Sequence, residues 1–178
     1  IDVVGYWGGF DLAFAAERDL RQIGGEIQLD GSLGSHTAAL GAAYADNPST
    51  SGHLEHEDEE LVELFTRATH AGMQVAVHAI GDEALRQVVR CWQTVEAALP
   101  DYLEGSVRRL RHRVEHAEVL PPELRVAFSE LGLLVSAQPG SEQAWGGEDG
   151  MYTSRLGPQR AAWTNPYRQL ADLGVDLA

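Results

Sequence analysis

MQVAVHAIGDEALRQVVRCWQTVEAALP, residues 73–100, decides the fold class. The run from Met73 to Ala79 is apolar except at Gln74 and His78, as expected of a strand covered on both faces. Ile80-Gly81 breaks it, and from Asp82 the residues Leu85, Val88, Val89, Trp92, Val95 and Leu99 keep helical spacing until Pro100 stops the helix. A buried strand passing through a short turn into a long amphipathic helix is the unit of a parallel sheet with crossover helices. His78 ends that strand, the place where such folds gather their chemistry, because the strand fixes the side chain and the next loop leaves room for a ligand.

Outward from this unit the alternation repeats. Upstream, Asp2–Trp7 is a candidate strand, Ala15–Ile23 a short helix and Gly25–Asp30 a strand in which Ile27 and Leu29 alternate with Glu26, Gln28 and Asp30. Residues 31–56, rich in Gly, Ser, Asn and Pro, are too long for an ordinary connector and read as an active-site loop. Asp58–Ala71 is a helix with Leu61, Leu64, Phe65 and Ala68 on one face, acids at its start and Gly72 at its end. Downstream, Leu110–His116 is a strand, Pro121–Leu131 a helix and Leu133–Gln138 a strand closed by Pro139. Residues 144–164 read as a second long loop, Pro166–Leu173 as a helix, and Val175–Ala178 as the start of another strand. The class is α/β, and the count fits over half of an eight-stranded barrel.

Composition narrows the function. A net charge of −14 opposes binding to a phosphate backbone or an anionic membrane surface, so no nucleic acid and no membrane is the expectation. No apolar stretch approaches the roughly 20 residues of a membrane-spanning helix. The single cysteine, Cys91, lies in a helical apolar stripe and reads as core; cytoplasm is the default location. All 13 basic residues are arginine, which removes Schiff-base and carbamylated-lysine chemistry from the chain.

His116, in RHRVEH, ends the strand after that of His78. Either histidine alone reads equally well as a hydrogen-bonded core residue. Two neighbouring strands that each deliver an imidazole to one rim favour a metal instead, because neutral nitrogen donors suit zinc and similar divalent ions, which acidify a coordinated water. His112 shares the strand parity of His116 and is expected on the same side but deeper. Glu115 is expected to pair with an arginine. His36, His53, His56 and His70 fall on loops or helix faces.

With these residues in place, DGSLGSHTAAL (30–40), QVAVHAIGDEAL (74–85), RHRVEHAEVLPP (111–122), SAQP (136–139) and RLGPQRA (155–161) together resemble amidohydrolase family 3 of the amidohydrolase superfamily, metal-dependent hydrolases that include N-substituted formamide deformylase. The resemblance covers essentially the whole chain. It implies a partial (β/α)8 TIM barrel over residues 1–178, roughly strands 3 to 8, and a divalent metal, zinc by preference. His78 and His116 match the strand-5 and strand-6 metal ligands. Glu26 falls at or near the strand-4 lysine, with Gln28 and Asp30 as alternatives in register.

The resemblance further implies an HxH pair on strand 1 and an aspartate on strand 8; no HxH occurs in the chain and Asp176 is too early for that aspartate, so no catalytic residue is assigned. The implied activity is hydrolysis of a C–N bond in a small amide or formamide, with the chain alone expected to be catalytically incomplete and to bind metal poorly or not at all. By the same resemblance Ser32, Asp82, Gln138 and Trp145 are candidate substrate-side residues. The alternative is a non-catalytic barrel remnant acting as a binding module, its open strand edges joined to another copy in a homo-oligomer.

Overall fold

The computed structural model describes residues 3–178, with the side chain of Glu26 outside the described residues. The sheet has four parallel strands in chain order, β1 (Gln22–Gln28), β2 (Gln74–Ala79), β3 (Arg113–His116) and β4 (Leu134–Ser136). Trp7 bridges β1 in parallel on one side, and Leu177 bridges β4 in parallel on the other. Six staves thus follow one another in sequence order, the partial barrel read from the alternation of elements. Of the first candidate strand only the bridge at Trp7 is formed, and its start at Asp2 lies outside the described residues.

The helices are α1 (Leu12–Ala16), α2 (Asp58–His70), α3 (Asp82–Ala98), α4 (Ser106–Leu110), α5 (Pro122–Glu130), α6 (Pro139–Trp145), α7 (Met151–Ala161) and α8 (Tyr167–Asp172). Among the described residues, no helix is long and apolar enough to cross a membrane. The start of α2 carries Asp58, Glu59 and Glu60, the favourable sign for its N-terminus. Arg90 of α3 reaches across to Asp58 (Nε to Oδ2, 2.6 Å) and holds that carboxyl below its ordinary range. The apolar stripes of α2 and α3 meet in a stack: the rings of Phe65 and Trp92 lie nearly parallel with centroids 4.1 Å apart, and His112 stacks on the other side of Trp92 at 3.6 Å. Together with Val75, Val77, Ala79, Val114 and Val135 they form the core between sheet and helices.

Three expectations are corrected. The first helix ends at Ala16 and the strand begins at Gln22, earlier than the alternation suggested, because Gly24 and Gly25 adopt positive φ and interrupt the ladder before Ile27 resumes opposite Val77. A Cβ on Gly24 would lie 1.9 Å from the Ala76 carbonyl oxygen, so only glycine fits there. The strand read from Leu110 begins at Arg113, and Leu110 itself ends the short helix α4. Much of the stretch read as a second loop is α6 and α7; Gly157, at φ 74°, and Pro158 kink α7 and give its sequence a loop-like composition.

The long segment after β1 carries no regular structure up to α2, as read, yet it has a core of its own. Leu33, Ala38, Leu40 and Tyr44 bury against Ile80, Val119, Tyr152 and Leu156, forming a second apolar cluster on the rim. Two arginines of α7 secure it. Arg155 donates to the carbonyls of Leu33 (3.2 Å) and Gly34 (3.3 Å) and pairs with Asp46, and Arg160 donates to the carbonyls of Ala42 (2.8 Å) and Ala43 (2.7 Å). The RLGPQRA motif is the clamp on this rim loop.

Candidate active site

Ladder register sets the site. Gln28, His78, Glu115 and Ser136 are partners across the four strands and share the face turned away from the helices. His116 is paired with Ala79, whose side chain lies in the helix-facing core, so strict alternation would send the imidazole there as well. It does not go: His116 and Ala117 take φ of 71° and 50°, and this left-handed turn at the strand end swings the ring to the mouth. The rings of His78 and His116 meet edge to face with centroids 4.7 Å apart. His112, expected on the same side as His116, is instead sealed in the helix-facing core against Trp92, since the alternation that places it there ends before His116.

The hydrogen bonds of the pair define its donors. Nε2 of His78 donates to the Gly31 carbonyl at 3.1 Å, which leaves Nδ1 as the nitrogen free for another partner. Nδ1 of His116 is buried without a hydrogen-bond partner, and the nearest carboxylate, Glu118, stands off at 4.0 Å. Burial first, and then the neighbouring His78, lowers the pKa of His116 and favours the neutral ring. Two imidazoles side by side, one with an orphaned buried nitrogen, fit a divalent cation as part of a ligand set. Among the described residues no third His, Cys, Asp or Glu completes a group of three. The backbone of Glu26 lies in the irregular part of β1, and its proposed role falls on a side chain outside the described residues.

Asp30 organises the floor. Its carboxylate is fully buried and accepts from the backbone N–H groups of Ala39 (2.9 Å), Ile80 (3.0 Å) and Gly81 (2.7 Å), with His78 Nε2 3.8 Å away. Burial pushes its pKa up to about 6 against the pull of those three donors and of His78. Gly81 is required here because a Cβ would fall 1.9 Å from the Ala39 carbonyl oxygen, where the rim loop rests on the start of α3.

A cavity of about 440 Å³ opens over the imidazoles. Three of the four candidate substrate-side residues, Ser32, Gln138 and Trp145, line it, with Leu33, Gly34, Ser35, Ile80, Glu118, Ser141 and Met151. Asp82 does not. It is buried at the start of α3, where its Oδ1 accepts from the Gly41 N–H at 3.1 Å and holds the rim loop, so its place is structural. Gln28 shares the row of His78 and is exposed.

Glu118 is the residue that sequence reasoning passed over. It is 4% exposed, its pKa is pushed up to about 7 chiefly by burial, and Asp30 and Glu142 reinforce that shift while Tyr152 opposes it. Its position two residues after His116 was the available signal. Asp30, the acid that opens the DGS motif, entered the sequence reading only as an alternative in register to Glu26. A larger cavity, about 510 Å³, lies behind α6 and touches neither imidazole; the imidazoles, and not the volume, mark the site.

The family model described as "Amidohydrolase family" matches residues 14–178. YtcJ of Bacillus subtilis (strain 168), whose name places it among amidohydrolases, is 34% identical over 154 residues, covering 84% of this chain and 26% of that protein. LONG AFTER FAR-RED 3 of Arabidopsis thaliana is 40% identical over 112 residues, 62% of this chain and 18% of that protein. Among solved structures, an uncharacterized metal-dependent hydrolase of Pyrococcus furiosus superposes with a TM-score of 0.74 at 31% identity, covering 94% of this chain and 34% of its own. Another, from Pyrococcus horikoshii OT3, gives a TM-score of 0.69 at 30% identity, with 85% and 28% covered. The chain therefore spans about a quarter or less of the curated relatives' length and about a third of the solved chains'.

Proposed function

The chain belongs to the amidohydrolase family, and on that footing we propose that its protein is a metal-dependent hydrolase of C–N bonds in amide or formamide-like substrates. The observation that carries this reading is the imidazole pair, two side chains from adjacent strand ends meeting at 4.7 Å beneath a cavity of substrate size. His78 and His116 would hold the ion, with Glu26 as a further carboxylate ligand in the place of a lysine. Zinc is the ion of choice because borderline nitrogen donors suit it. When bound, it would supply a Lewis acid and an acidified water whose oxygen adds to the carbonyl carbon, the C–N bond breaking as the amine leaves with a proton from that water.

The chain's own residues do the rest. The Gly31 carbonyl fixes the His78 tautomer, and Asp30 locks the rim loop and the start of α3 in place around it. Ser32 and Gln138 offer hydrogen bonds to the substrate's polar end, and Trp145, Leu33 and Met151 give its body an apolar wall. With no HxH pair and no lysine, the 178 residues by themselves carry an incomplete ligand set.

The test is metal content together with hydrolysis. In the protein as its gene encodes it, His78→Ala and His116→Ala are each expected to lower zinc content and turnover of an N-alkyl formamide by about 100-fold or more. The 178-residue chain alone is expected to hydrolyse none above background. Stoichiometric metal in both variants refutes the ligand assignment, and turnover by the short chain refutes the incompleteness.

A further inference from the structure

We propose that α6 is a latched lid over the imidazole-bearing cavity and that Asn165 is its latch, a positioning residue outside that cavity. None of the residues of α6 is buried, so the helix is not held by a core of its own. It stands between two cavities. Ser141 and Trp145 wall the one over His78 and His116, while Glu142 and the following Gly146 and Gly147 wall the larger one behind it, which leaves space for the helix to move into.

The polar ties that fix this partition converge on one side chain. Asn165 Nδ2 donates to Glu142 Oε2 at 2.8 Å; the Tyr167 hydroxyl donates to Asn165 Oδ1 at 2.9 Å and accepts from the Gln138 N–H, at the start of α6, at 3.2 Å. Asn165 is itself anchored, its N–H donating to the Glu118 carbonyl at 2.8 Å and its backbone at φ 46°, a conformation asparagine tolerates better than most residues. One buried amide thus ties the start and the middle of the lid to the strand exit that carries His116. Release of Glu142 lets α6 retreat toward the rear cavity and widens the mouth.

The lid's purpose rests on the reading of the front cavity as a substrate site, but the latch is tested without it. Hydrogen–deuterium exchange of the backbone amides of residues 140–147 is compared with that of β2 and α3, which report the global fold. Asn165→Asp places a carboxylate against Glu142 and is expected to speed exchange in α6 about ten-fold, with β2 and α3 unchanged. Glu142→Ala, at an exposed position that folding tolerates, is expected to act in the same direction. Glu142→Gln alone keeps an acceptor and stays near the native rate, and Asn165→Asp with Glu142→Gln restores the bond with donor and acceptor exchanged, returning α6 to slow exchange. Unchanged α6 exchange in Glu142→Ala, or failure of the exchanged pair to rescue a folded Asn165→Asp, overturns the latch. Neither outcome depends on hydrolysis.

Discussion

His112 and His116 stand four residues apart on one stave and live in opposite environments. His112 is sealed on the helix side of the sheet: Nδ1 accepts from the Val75 N–H at 3.0 Å, the ring stacks on Trp92, and Nε2 has no partner. His116 turns the other way, onto His78 at the mouth. The first fills a packed core; the second lines the cavity at the mouth, where the proposed function makes it a metal ligand. The same residue type becomes core or cavity lining according to which face of the sheet the backbone offers it.

This contrast breaks most visibly at the ring shared by the core. Trp92→Ala removes a fully buried indole between Phe65 and His112, and a loss of about 3–5 kcal/mol is expected in denaturant unfolding. A loss below about 1 kcal/mol would show that the helix-facing stack is not the stabilising side.

Acid should strike the same place. Burial pushes the His112 pKa down to about 3, below the 6.5 or so of an unfolded chain. The unfolded state therefore binds more protons between those values. The stability this group contributes is full above about pH 6.5 and is lost as the pH falls toward 3, by an amount on the order of a few kcal/mol. His112→Leu should flatten that slope of the unfolding free energy between pH 6 and 4; an unchanged slope would mean that the imidazole is not the group responsible.

At the mouth, substitutions should cost less. Asp30→Asn keeps the shape but turns an amide donor toward three backbone N–H groups, with about 1–3 kcal/mol lost in unfolding and faster amide exchange at Ala39, Ile80 and Gly81. His116→Ala removes a partly buried ring with an unpaired buried nitrogen and is expected to cost under about 1 kcal/mol. A larger penalty for His116→Ala than for Trp92→Ala would reverse the contrast.

Much of the frame was legible in the sequence. The helices α2, α3 and α5 and the strand β2 lie within a residue or two of their reading, because each has a long apolar period bounded by Gly or Pro. The imidazole pair was legible because each histidine closes a segment read as a strand. What failed did so for physical reasons. The Gly24–Gly25 interruption shifted β1, the positive φ of His116 broke the parity that had placed His112 beside it, and α6 and α7 look like loop because contacts distant in sequence hold them: Arg155 and Arg160 on the rim loop, and Asn165 on Glu142.

The sequence by itself determined the alternation of strand and helix and the delivery of His78 and His116 to strand ends, since hydrophobic period and breaker residues act over a few neighbouring positions. Only the tertiary structure decided which histidine faces the mouth, that Asp82 serves the rim loop rather than the cavity, and that Asp30 gathers N–H groups from residues 39, 80 and 81. A buried carboxylate takes whatever donors the folded chain brings within reach, and that proximity is set by the return path of the backbone, which no local pattern encodes.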